Sequence, residues 1–277
     1  MTILVTGATA SVGRLLVDEL VAAGAPVRAL TNNPARAALP ADVEVARGYL
    51  GKPQTLPAAL VGIDTVYLAP LPAYVDDFVR CAQDAGVRRV VVLSGEPADY
   101  EAQGDPSTWH YYRLERAIEA GGFEWTFLRP GQFMTNTLDW APSIRAEGVV
   151  RAPYADAVQT PIDLGDIAAV ARVVLLSEQY GGQKITMSGP EGITPPEQVA
   201  QISAAIGQDV RFEALSPSEY LDRLAPVIGL QTAQWLLDGF RMMAEHPMKP
   251  EPAVYDLTGR PGTRYAEWAV AHADAFR

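Results

Sequence analysis

Apolar positions in the first half of the chain alternate between two patterns. Short β-branched runs are separated by stretches in which apolar residues recur every three or four positions. Residues 2–6 (TILVT) are such a run, a glycine-rich turn follows, and 14–24 (RLLVDELVAAG) places Leu15, Leu16, Leu20 and Val21 at helical spacing before closing on glycine. Further strands are predicted at 26–31, 43–48, 64–70, 89–95 and 125–129. Helices are predicted at 53–60, 73–86 and 107–121, with a polar loop over 96–106. The run at 89–95 (RVVVLSG) is almost wholly apolar, as befits a strand covered on both faces. Strands alternating with helices predict a doubly wound parallel α/β sheet of the Rossmann type.

The pattern changes after Pro130-Gly131. Residues 132–156 carry Phe133, Met134, Leu138, Trp140, Pro142, Pro153 and Tyr154 without a period, and read as an irregular apolar cover over a ligand site. A helix is expected at 163–177, a strand at 183–188 and a helix at 194–207 capped by Thr194 with Pro195 at its first position. Another strand follows at 211–215. Ser216 and Glu219 form a capping box that opens the helical segment 216–246, and a last amphipathic helix covers 263–276. The division expected is a dinucleotide-binding domain at 1–150 and a smaller α/β lobe at 151–277, intertwined with it, with the substrate in the crevice between them.

Of the 277 residues, 48% are hydrophobic and 20% charged, and the net charge is −11 with no run of Lys or Arg. That balance speaks against nucleic acid and against an anionic membrane surface. The lone Cys81 allows no internal disulfide and reads as a buried structural thiol. His110, His246 and His272 lack metal-ligand spacing, so no protein-built metal site is expected. A chain that opens on a strand, with no membrane-length apolar run, is expected to be soluble and cytoplasmic. A small molecule is the expected partner; self-association into a homo-oligomer stays open.

The first strand, turn and helix hold the chemistry most plainly. In TGATASVG (6–13) Gly7 suits a sharp turn and Gly13 a close helix–strand approach, while the helix N-terminus faces an anion. Ala10 stands where glycine is usual, which the backbone accepts if its φ stays negative. A dinucleotide would lie along Gly7, Thr9, Ala10, Ser11, Val12 and Gly13, with Ala69 and Pro70 beside its phosphates or nicotinamide ribose. Thr31-Asn32-Asn33-Pro34 offers no carboxylate for an NAD ribose, whereas Arg36, and secondarily Arg14, are near enough to serve a 2′-phosphate. The preference read from Asn32 and Arg36 is for NADP(H) over NAD(H).

Six stretches together resemble the NmrA-like atypical short-chain dehydrogenase/reductases: TGATASVG, VVVLSG (90–95), WTFLRPGQFMTN (125–136), DLGDIAAVA (163–171), SGPEGIT (188–194) and YAEWAVAHADAFR (265–277). The resemblance implies a Rossmann fold, NAD(P)(H) binding, and either reductase activity or redox sensing. The chain departs from it at Ala10, at Asn32, where members often carry arginine, and at Tyr49, where they carry aspartate. The wider superfamily uses Tyr-x-x-x-Lys, and Tyr112 to Arg116 looks like it with arginine for lysine. Register argues otherwise. Counting back from 125–129 puts the family's helix glutamate on Glu115, its lysine position on Tyr111 and its tyrosine position on Ser107; these share one face, and Tyr112 and Arg116 lie about 100° away.

Tyr111 is therefore the candidate proton donor, with Ser94 at a strand's C-terminal end as a second catalytic candidate. His110, Gln132, Phe133 and Asn136 are candidates for the substrate pocket, and Arg129 for an internal ion pair with Asp166. The reading is an NAD(P)H-dependent reductase of a carbonyl, quinone or enone in an apolar or aromatic small molecule. The alternatives are an NADP-binding sensor without turnover and a non-redox cyclase or isomerase.

Overall fold

The computed structural model describes residues 2–104 and 109–277. Seven parallel strands form the main sheet in the order β3-β2-β1-β4-β5-β6-β8, and the switch in direction falls between β1 and β4. In chain order, β1 (Ile3–Val5), α1 (Ser11–Ala22), β2 (Val27–Thr31) and β3 (Glu44–Arg47) build one half. After α2 (Leu56–Leu60) come β4 (Thr65–Leu68), α3 (Val75–Asp84), β5 (Arg89–Leu93), α4 (Ala98–Ala102), α5 (Tyr111–Ala120) and β6 (Glu124–Pro130). Alternation along the strands sorts side chains into two cores. Val91 and Leu128 face α1, while Val92 and Phe127 face α3 and α5.

Two sequence expectations change here. The loop expected over 96–106 contains the short helix α4, held by Ala98 against the body. The helix expected from residue 107 begins at Tyr111 among the described residues, with His110 as its N-cap at φ 57°. Ser107 lies outside the described residues.

The aperiodic stretch 132–156 is ordered, not irregular. A 3-10 segment (Met134–Trp140), α6 (Ala141–Glu147) and β7 (Val149–Pro153) follow one another, with Pro142 in the first turn of α6 and Gly148 closing it at φ 64°. Three short elements of different period leave no common spacing to read. Next, α7 (Leu164–Leu176) is apolar nearly all round and packs beside α1 on the same sheet face, and β8 (Gln183–Met187) pairs with β6. The chain leaves the sheet after β6 and returns to it with α7 and β8, so the elements after residue 150 are divided between sheet and lobe. An all-round apolar helix has to be covered on both sides, and only the sheet face beside α1 does that.

The lobe takes its remaining elements later. They are α8 (Pro195–Ile206), β9 (Arg211–Leu215), α9 (Pro217–Ile228), α10 (Leu230–Glu245), α11 (Ala253–Thr258), α12 (Tyr265–Ala271) and α13 (Ala273–Phe276). β7 and β9 form a two-stranded parallel sheet in register from Val149↔Arg211 to Pro153↔Leu215. Trp268, Phe276, Ile202 and Ile144 fill its core, and the Tyr265 hydroxyl donates to Thr137 Oγ1 at 2.7 Å. The expected capping box forms at Ser216/Glu219, and the expected Thr194 cap forms as a box with Glu197. α9 and α10 make an antiparallel hairpin hinged at Gly229 (φ 87°), whose tip exposes Val227 and Leu230. Its far end is tied to the body where Val158 N–H donates to Met243 O and Met248 N–H to Val158 O, both at 3.3 Å. Among the described residues no helix is long and apolar enough to cross a membrane, and no His/Cys/Asp/Glu group is arranged to hold a metal. Cys81 is a buried free thiol whose pKa burial pushes up.

Candidate active site

At the C-terminal end of β1 the chain is stitched to β4 by one side chain. The Thr6 hydroxyl donates to Tyr67 O at 3.0 Å and accepts from Ala69 N–H at 2.8 Å. Gly7 follows at φ 62°, where a Cβ would lie 2.9 Å from that of Ala69. Gly13 packs so closely that a Cβ on it would sit 2.2 Å from Gly7 O. Ala10 keeps φ at −94° with its methyl exposed, the condition under which alanine is tolerated at this turn.

No side chain caps α1 and no acid stands in its first turn, so the N–H groups of Ser11, Val12 and Gly13 are left to an external acceptor. A cleft of about 230 Å³ opens above them, lined by Gly7, Thr9, Ala10, Asn32, Ala69 and Pro70 together with Thr31 and Tyr49. Backbone cradle, unpaired helix start and cleft fit a dinucleotide diphosphate. Arg36 is exposed on the 3-10 turn Pro34–Arg36 and does not line the cleft; Arg14 pairs with Asp18 and reaches Ala38 O at 3.4 Å. Because Ala10 already holds a negative φ that alanine adopts without strain, Ala10→Gly is expected to change NADPH affinity less than about threefold. A fluorescence titration showing a gain above tenfold would mean that the methyl intrudes on the diphosphate.

A second cavity of about 530 Å³ lies further along the same sheet edge. Its floor is Ser94, Gly95 and Glu96 beyond β5, with Gln132 and Phe133 beyond β6 and Tyr111 from the first turn of α5. α10 supplies an apolar outer wall that includes Trp235, Phe240 and Met243. Trp109 stacks on Tyr111 with ring centroids 6.4 Å apart and meets Trp235 edge-on at 6.5 Å. The Tyr111 ring rests on Gly95, where a Cβ would come within 2.7 Å of it. Burial pushes the Tyr111 phenol pKa up, and Glu101 adds to the effect.

Ser94, Tyr111, Gln132, Phe133 and Asn136 thus line one cavity. His110 does not: it is exposed at the N-cap of α5, outside the lining. Sequence reading missed Glu96 and Tyr100, which stood in a stretch read as polar loop, and Trp109, which stood in the expected helix 107–121. The rule that ligands gather at the C-terminal ends of parallel strands could have found Glu96, two residues past Ser94.

Behind the floor lies a buried polar network. The Ser94 hydroxyl donates to Glu115 Oε1 at 2.6 Å, and Arg129 grips both oxygens of that carboxylate, Nε at 2.8 Å and Nη2 at 2.6 Å. Arg129 Nη1 also reaches Asp99 at 2.7 Å. The ion pair expected between Arg129 and Asp166 is therefore corrected. Phe127 and Arg129 share the α5 face of β6, whereas α7, with Asp166, covers the Leu128 face. Asp166 instead accepts from Thr263 N–H at 2.7 Å and pairs with Arg260 at 3.0 Å. Tyr112 and Arg116 point outward, Arg116 to Glu119, while Glu115 is buried on the Tyr111 side of α5. The lookalike Tyr-x-x-x-Arg is a surface feature.

The family model described as "NmrA-like family" matches residues 1–260. The chain belongs to the NmrA-like family. Among curated relatives, a (4-alkanoyl-5-oxo-2,5-dihydrofuran-3-yl)methyl phosphate reductase of Streptomyces griseus is 39% identical, with 99% of each chain covered. An NAD(P)H azoreductase of Xenophilus azovorans is 33% identical, again with 99% of each covered. The fold is shared with the NADPH-dependent quinone oxidoreductase of Escherichia coli solved with NADPH, at TM-score 0.84 and 24% identity over 97% of this chain and 99% of that one.

Proposed function

We propose that this chain is an NAD(P)H-dependent reductase of a carbonyl, quinone or enone in an apolar or aromatic small molecule. The observation that carries the reading is one sheet edge bearing a glycine cradle at β1 and an aromatic cavity at β5 and β6. The two relatives named as reductases over their whole length support it. A bound dinucleotide supplies hydride. The protein's residues hold the acceptor in a largely dry pocket, where positioning accounts for much of the acceleration. Trp109, Trp235 and Phe133 suit a planar or conjugated substrate, and the Tyr111 phenol orients its oxygen by hydrogen bonding.

NADP(H) is the preferred form in this reading, since Asn32, which follows β2 and lines the cleft, leaves no carboxylate there to repel a 2′-phosphate, and Arg36 stands four residues further on. The single buried cysteine suits a reducing, cytoplasmic setting. The test is NADPH oxidation with menadione, 2-cyclohexenone and a 2-acylbutenolide as acceptors. Turnover with stoichiometric reduced product is expected; tight NADPH binding with no oxidation by any acceptor would defeat the reading. Tyr111→Phe is expected to lower kcat/KM about tenfold, the value of one hydrogen bond to the reacting oxygen, with NADPH affinity unchanged. An unaltered kcat/KM would remove Tyr111 from the site.

A further inference from the structure

We propose that Glu96 is the proton donor of the reduction, placed on the cavity floor beside Tyr111; this rests on the reductase reading. Glu96 directly follows Ser94-Gly95 at the C-terminal end of β5, and its N–H donates to Pro130 O at 3.1 Å, which fixes it to the end of β6 as well. Its carboxylate lies over Gly131, with Oε2 3.1 Å from where a Cβ there would stand. Gly95, its neighbour in the chain, carries the Tyr111 ring. Acid and phenol therefore line the one cavity over two glycines of its floor, Glu96 over Gly131 and Tyr111 over Gly95.

Four other carboxylates near this site are engaged. Glu115 holds Ser94 and Arg129, Asp99 holds Arg129, Glu101 accepts from Tyr112 N–H at 2.6 Å, and Asp238 is paired with Arg241. The Glu96 carboxyl has no hydrogen-bond or ion-pair partner among the described residues. A carboxyl left without a donor among apolar walls favours its neutral form. Burial raises its pKa, and Glu251 and Asp99 push in the same direction. The remaining titratable groups around the cavity are Tyr100, Tyr111 and the Asp238–Arg241 pair, the last tied also to Glu245. Tyr111 has no lysine beside it to ease release of its proton, and its burial opposes that release.

The step balances. As hydride, with its two electrons, reaches the electrophilic carbon, the carbonyl π pair moves onto oxygen, or in an enone through to the enolate. The Glu96 O–H bond breaks and its proton passes to that oxygen or to the enolate α-carbon, while the bonding pair stays on the carboxylate. Water at the cavity mouth then returns a proton to Glu96. One NAD(P)H, one proton and one acceptor give NAD(P)⁺ and the reduced product.

Since the acid form is the active one, the rate should fall as pH rises through the Glu96 pKa. The experiment is reduction of menadione and 2-cyclohexenone by NADPH over about pH 5 to 9 for wild type, Glu96→Gln and Glu96→Ala. Glu96→Gln is expected to lose about 100-fold in kcat and to lack the alkaline limb of the wild-type profile, with NADPH affinity within about twofold. Added acetate or formate should restore part of the Glu96→Ala rate. An alkaline limb retained in Glu96→Gln, or a loss in Glu96→Ala that neither acid restores, overturns the assignment. If wild type reduces no acceptor, the reductase reading fails and the donor with it; if wild type turns over and Glu96→Gln is indifferent, only the donor fails.

Discussion

Arg129→Met is expected to destabilise the protein by about 3–5 kcal/mol, the cost of leaving one partner of a buried ion pair alone. Arg129 is 3% exposed and Glu115 1%, and the guanidinium covers both carboxylate oxygens. Without it, Glu115 keeps only the Ser94 hydroxyl in a site closed to water. In a chain of this length such a loss lowers the melting temperature by roughly 10 °C. The double variant Arg129→Met/Glu115→Met should recover much of it, because the strain lies in the orphaned charge and not in the lost pair. Denaturant unfolding of both variants checks this. A single variant costing under about 1 kcal/mol would show that water reaches Glu115 and that the network is a surface one. Because the same network pins the end of β5 against α5, the single variant should also blunt kcat.

Gly13→Val is expected to abolish NADPH binding, raising Kd by more than about 100-fold, since a Cβ there would stand at 2.2 Å from Gly7 O and must push α1 away from β1. Both atoms belong to rigid backbone, so no side-chain rotation relieves the clash. The displaced helix carries with it the N–H groups that would meet the diphosphate. Fluorescence titration gives the affinity and far-UV circular dichroism shows whether the sheet survives. A folded variant that binds NADPH like wild type would make the turn purely structural.

What could be read in advance follows from what local spacing encodes. The β-branched runs and their intervening amphipathic helices are each written within a dozen residues, so the strands of the main sheet were legible. So were the caps at Thr194 and Ser216, whose partners stand three positions on. The inward face of α5 was legible too, because Tyr111 and Glu115 are one turn apart. Pairings between distant segments were not. Nothing near Val149 announces Arg211 as its neighbour, and the choice of Glu115 over Asp166 for Arg129 depends on which sheet face an alternating strand presents. The stretch after Pro130 hid its order by changing period three times. Glu96 was passed over because a lone acid in a polar segment looks like solvent-facing charge until the walls around it are known.

The α9–α10 hairpin hangs from the body at one end and ends freely at Gly229, yet it supplies the outer side of the cavity while Ser94, Glu96 and Tyr111 all belong to the sheet side. Much of the substrate wall and the reacting groups are in this way carried on different stretches of the chain. Evolution can redraw Trp235, Phe240 and Met243 without touching the apparatus of transfer. A chimera exchanging only 217–248 between family members should trade acceptor preference while keeping cofactor choice, whereas a cut near 150 would tear β8 from β6 and give no folded hybrid.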